Sequence, residues 1–254
     1  VTSKAVTLLK DPIDTRLVET AADAIPTWRK FAAAKPTLLL LSQNPFLTPI
    51  PAQVAQESLQ LTHNGSVEDF KAKASASVAN PTILPDMALS AALEAEFFSR
   101  IVWVLPVADT EKTLSIDIFR KQLIDSGSAT QAEADTFTAT ANGFSGALRK
   151  IPVDVIPYHA LTVLSEPSVL HLDLSFLKAL YTNEIKTPIH PLTYGVLAKL
   201  RETAVPIYAT TISHSHQSDI SLEVRFLSNL VARYLAQPEL LDQPPAKIDE
   251  VRQQ

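Results

Sequence analysis

The sequence predicts an α/β fold: a three-layer arrangement with a mainly parallel sheet and helices on both faces. Two observations predict it. Short apolar runs alternate along the chain with longer stretches of helical period, the order that βαβ units produce. The runs are also apolar throughout rather than at every second position, as in strands buried on both faces. The composition supplies the core that such a fold needs, with 46% hydrophobic and 19% charged residues among 254. That balance excludes a disordered chain.

Taken in order, helical period first covers Asp14–Ala34, interrupted at Pro26. The first strand is Thr37–Ser42 (TLLLLS), bounded by Pro36 and Pro45. Helices are expected over Ala52–Leu61, Val67–Val78 and Asp86–Ser99, the last with Asp86 as its N-cap. The second strand is Arg100–Pro106 (RIVWVLP). Ser115–Asp125 and Thr130–Lys150 read as helices, with Gly127 between them where a left-handed cap is wanted. Pro152–Pro157, Val169–Phe176 and Val205–Ser213 are the remaining strands. Helices follow over Pro191–Glu202, where Pro191 suits a first turn, and over Ser221–Ala236. No repeat or linker interrupts the chain, so residues 1–237 are read as a single α/β domain. Residues 238–254, polar and proline-bearing, are read as a C-terminal surface extension.

Composition removes several classes of function. The chain has no cysteine, which excludes disulfide frameworks, zinc fingers, thiol catalysis and iron–sulfur clusters. A net charge of −5 argues against nucleic acid as a partner. Five glycines in 254 residues, about 2% against a usual share of about 7%, leave little for Gly-rich phosphate loops. No dinucleotide fingerprint, P-loop or zincin helix motif is found. Gly143-Phe144-Ser145-Gly146 lacks a spacer of the nucleophile elbow, and Asn64-Gly65-Ser66 is a glycosylation sequon only in a eukaryotic secretory setting. The longest apolar runs fall far short of the ~20 residues of a membrane span, so no span is expected. The start at Val1 and the absence of cysteine fit a trimmed chain or export to the periplasm or outside after signal removal, and the lean is toward export.

Chemistry is expected at strand ends, because an open parallel sheet binds ligands outside the carboxyl ends of its strands. In Val169–Phe176 (VLHLDLSF) a period of two puts His171, Asp173 and Ser175 on one face and Leu170, Leu172 and Leu174 on the other. An imidazole and a carboxylate so spaced can share a divalent metal or form an acid–base pair. The alternative is a core histidine beside an aspartate that caps the helix starting near Phe176. The next strand ends in His214 and His216 at the same spacing, with Asp219 and Glu223 after them, and His159 follows the strand ending at Pro157. His63 and His190 read as surface or packing residues. On this reading His171 and Asp173 point together toward solvent or an ion. His159, Asp173 and His214 gather around one cleft, within ~10 Å of one another.

The run VLHLDLSF, followed by a helix and a strand ending in ATTISHSHQSD, resembles the later part of the arginase and histone-deacetylase superfamily. The resemblance implies a doubly wound parallel sheet and a one- or two-metal site, commonly manganese or zinc, with an Asp-x-Asp or Asp-x-His pair at a strand end. Asp173 matches the leading aspartate; Ser175 stands where the second ligand would be, and His171 precedes the aspartate rather than following it. The expectation is a metal-dependent hydrolase acting on a small polar amide or amidine-like substrate. His171, Asp173 and His214 would ligate the ion, and His159 or His216 would handle the proton as catalytic groups. The metal would lower the pKa of its bound water to about 7. The alternative is a non-catalytic α/β binding or structural protein that has lost the metal site.

Overall fold

The computed structural model describes residues 4–74, 78–107, 114–183, 188–214 and 222–245. Among the described residues nine strands form one sheet: β1 (Val6–Thr7), β2 (Thr15–Val18), β3 (Thr37–Leu41), β4 (Arg100–Leu105), β5 (Thr138–Thr140), β6 (Gly143–Leu148), β7 (Ile151–Pro157), β8 (Ser168–Asp173) and β9 (Pro206–Ser213). The order is β1-β9-β8-β3-β4-β7-β6-β5, with β2 also paired to β9. The five pairs β2·β9, β9·β8, β8·β3, β3·β4 and β4·β7 are parallel. The pairs β1·β9, β7·β6 and β6·β5 are antiparallel. The fold is therefore mixed α/β with a largely parallel sheet, flanked by antiparallel strands that the apolar runs do not announce.

Helices α1 (Ile25–Arg29), α2 (Ala55–Asn64), α3 (Val67–Lys73), α4 (Ala88–Glu94), α5 (Ile116–Asp125), α6 (Gln131–Asp135), α7 (Ser175–Asn183), α8 (Ile189–Glu202) and α9 (Leu222–Ala236) connect and follow the strands. All five residues of β3 are buried, as its unbroken apolar run requires. Alternation divides the strands between two cores. Leu38, Leu40, Ile101 and Trp103 join residues of α1–α6 such as Trp28, Phe70 and Phe119. Leu39, Leu41, Val102 and Val104 join residues of α7–α9 such as Leu177, Val196 and Val231.

Two expected helices are corrected. Asp14–Ala34 holds β2, a 3₁₀ turn at Ala21–Ala24 and only then α1, with Pro26 in its first turn rather than interrupting it. Thr130–Lys150 does begin as a helix, where Thr130 and Glu133 form a capping box, but α6 ends at Asp135 and the chain turns into β5 and β6. That hairpin depends on Gly143 (φ +148°), since a Cβ there would lie 2.0 Å from the Val155 carbonyl oxygen. Gly127 does take the left-handed conformation, at φ +70°. Asp86 lies inside a 3₁₀ turn whose N-cap is Leu84, and its carboxylate accepts from the Thr48 hydroxyl. Pro238–Asp242, placed in the extension by the sequence, forms a 3₁₀ turn that packs Leu241 into the second core; the Leu241 carbonyl accepts from the Tyr194 hydroxyl at 2.6 Å.

The connections leaving β3 run through β4 to β7 on one side, while β8 leads to β9 on the other. The topological switch point therefore lies between β3 and β8, and a crevice at their carboxyl ends is the expected ligand position for such a sheet.

Candidate functional site at the carboxyl edge

Ser42–Asn44 leave β3 at this edge, Asp173 ends β8, Ser213 ends β9 and Glu19 follows β2. Parallel pairing aligns His171 with Thr211 and Asp173 with Ser213. Four polar side chains on two neighbouring strands thus share one face, directed at Trp28 of α1. The Trp28 indole packs edge-on against the His171 ring at 5.2 Å, and Phe46 lies at 6.1 Å. His171 and Asp173 do point the same way. They do not point to solvent, because His171 has no exposed surface and Asp173 only 2%.

The hydrogens of this cluster can be counted. The indole Nε1–H of Trp28 can only donate, and it donates to Thr211 Oγ1 at 3.2 Å. The Thr211 hydroxyl lies 2.7 Å from His171 Nδ1 and 3.3 Å from the Leu170 carbonyl; because burial keeps the ring neutral, it donates to Nδ1. Ser213 Oγ donates to Asp173 Oδ2 at 2.5 Å, so its oxygen is left to accept from His171 Nε2–H at 3.0 Å. The result is a relay with one direction, from Trp28 through Thr211, His171 and Ser213 to the carboxylate. It fixes His171 as the neutral Nε2–H tautomer. Burial acts the same way, pushing the imidazole pKa down to about 3 from 6.5. The other carboxylate oxygen accepts from the Ser175 backbone N–H at 3.0 Å, at the start of α7. Asp173 thus joins the relay to the helix start through a contact two residues on, and it meets His171 only by way of Ser213. Ser175 in turn accepts from the Gln43 N–H at 3.3 Å, which reaches across the switch point to the loop after β3.

The other expected site residues lie elsewhere. His214 follows Ser213 and therefore points to the opposite face of the sheet. There its Nε2 lies 3.0 Å from Ser228 Oγ on α9, and its Nδ1 lies 3.4 Å from Glu19 Oε2. His159 is at the same edge but follows β7, three strands from β8, about 14 Å at ~4.8 Å per strand. Its Nδ1–H donates to the Val107 carbonyl at 3.1 Å. The single cleft around His159, Asp173 and His214 is thus not formed. His216 lies outside the described residues, as does Asp219.

Both ring nitrogens of His171 are committed to hydroxyls, and His214 faces away from Asp173. As arranged, His171, Asp173 and His214 do not fit a shared ion, and among the described residues no three His, Asp or Glu side chains converge as a metal-ligand group. The sequence reading missed Trp28, Thr211 and Ser213. The signal for the last two was present, since Thr211 and Ser213 repeat the i, i+2 spacing of His171 and Asp173, but only the parallel register shows that the two pairs meet.

No family model and no curated protein matches the chain. Among the described residues no helix is long and apolar enough to cross a membrane.

Proposed function

We propose that the chain is a non-catalytic α/β protein, related to the arginase and deacetylase superfamily, whose strand-end polar site is a structural joint instead of a metal centre. The observation that carries this reading is the closed relay. Every hydrogen of Trp28, Thr211, His171 and Ser213 that faces the cluster has an acceptor, and His171 has no lone pair left for an ion. The largely parallel sheet, with Asp173 at the carboxyl end of β8, supports the relationship. The finer fold, three layers with helices on both faces, belongs to the same proposal and is supported by the two separate cores.

The competing reading is the hydrolase, with manganese or zinc held through Asp173. The deciding experiment loads wild type and Asp173→Asn with excess manganese or zinc, removes free metal by gel filtration and measures what remains by elemental analysis. The structural reading expects no stoichiometric metal that depends on Asp173. One equivalent retained by the wild type and lost from the variant would overturn the structural reading and leave the metal centre that the hydrolase reading needs.

A further inference from the structure

Two of the chain's five glycines follow an asparagine, at Asn64-Gly65 and Asn142-Gly143. An asparagine so placed is open to attack by its own main chain. The amide nitrogen of the next residue can close on the side-chain carbonyl carbon, and glycine leaves that approach unobstructed because it has no Cβ. Both asparagine side chains are exposed, so access to water does not distinguish them. The glycine beside each one does.

Gly65 is buried and held on several sides. Its N–H donates to the Leu61 carbonyl at 2.7 Å, and its own carbonyl accepts from Arg29 Nη2 at 2.8 Å. A Cβ there would lie 2.5 Å from Leu61 Cδ1 and 3.2 Å from Phe70 Cε2, so the main chain itself lies against packed side chains. The nitrogen that would attack Asn64 keeps its proton on Leu61. It cannot turn toward the side chain without unpacking the join between α2 and α3.

Gly143 is placed differently. Ala141 and Asn142 make the two-residue turn between β5 and β6, and Gly143 pairs with Thr140 across it. β5 is the last strand of the sheet and is exposed along its length. Thr140, Ala141 and Asn142 are all exposed, so parting Thr140 from Gly143 uncovers no core. Strand ends of this kind open at little cost in free energy.

We propose that the β5–β6 turn is a self-modification site, where Asn142 deamidates through Gly143 while the fold protects Asn64. In the opened turn the Gly143 nitrogen loses its proton to solvent and bonds to Asn142 Cγ. The Cγ–Nδ2 bond breaks and ammonia leaves, giving a cyclic imide. Water then adds to one of the two imide carbonyls, and the ring opens to aspartate or to isoaspartate. Both products add a negative charge. Isoaspartate also adds a methylene to the main chain within a two-residue turn, where the Thr140–Gly143 pairing cannot accommodate it. The hairpin therefore loosens with time, in one direction.

The test incubates freshly purified protein at mildly alkaline pH, folded and in parallel unfolded in urea. Both dipeptides are followed by peptide mass spectrometry, with electron-transfer fragmentation to separate aspartate from isoaspartate. In urea the two asparagines should convert at similar rates, since both precede glycine. In the folded protein Asn142 should convert at least about tenfold faster than Asn64. Amide exchange of β5 and β6 should quicken as isoaspartate accumulates, with β3 and β4 unchanged. Equal rates in the folded protein, faster loss of Asn64, or an Asn142 that converts in urea but not in the fold would each overturn the proposal. So would hairpin exchange that does not change as isoaspartate forms.

Discussion

At the scale of single residues, the direction of the relay is set by its acceptor end. A carboxylate can only accept, so Ser213 must donate to Asp173 and His171 must donate to Ser213. Asn at position 173 would present an N–H₂ group to Ser213 and reverse each step. The Ser213 hydrogen would turn to His171 Nε2, the ring would carry its proton on Nδ1, and Thr211 would donate to the Leu170 carbonyl, 3.3 Å away. The expected outcome of Asp173→Asn is a change of His171 tautomer, read from side-chain ¹⁵N shifts, with a stability loss of no more than about 1 kcal/mol. Ser213→Ala breaks the chain without offering a substitute and leaves buried groups unpaired. It should cost about 1–3 kcal/mol in urea unfolding. The sequence made the His171–Asp173 face legible through its period of two. It could not show that the face meets Trp28 instead of water, because that depends on where α1 packs.

At the scale of elements, legibility followed burial. The five central strands were found within a residue or two, except that β8 ends three residues before Phe176: TLLLL, RIVWVL and SVLHLD are buried on nearly every residue, and β7, buried on one face only, is marked by the alternation of Val153, Val155 and Pro157. The peripheral strands were not found. Only Val18 of β2 is buried, and β5 is exposed along its length, so neither needs an apolar run. β6 contains Gly143, Gly146 and Ser145, which carry little strand signal. The β5–β6 hairpin rests on a backbone conformation more than on side-chain pattern, and that gives a prediction. Gly143→Ala should cost at least about 2 kcal/mol, because its Cβ must displace the Val155 carbonyl and φ +148° is strained for alanine. Differential amide exchange should show the loss as earlier opening of β5 and β6 than of β3 and β4.

At the scale of the whole molecule, the buried neutral imidazole makes stability depend on pH. His171 has its pKa pushed down to about 3 by burial, whereas the unfolded chain takes up that proton near 6.5. Between these values the unfolded state binds more protons, so the contribution is fully present above about 6.5 and is lost as pH falls toward 3. At pH 4.5 the loss is about 2–3 kcal/mol relative to pH 7. Urea unfolding at the two pH values should show it, and His171→Gln should lack that share of the pH dependence. Whether the strand-end cluster is a closed hydrogen-bonded joint is read from the ¹⁵N side-chain spectrum of His171. It should be recorded from pH 7 to pH 4.5, and at pH 7 with and without one equivalent of zinc. The ring is expected to stay a neutral Nε2–H imidazole throughout, unmoved by acid in this range or by the metal. A ring that takes up a proton near pH 6.5, or whose nitrogens shift with stoichiometric zinc, would contradict the closed joint.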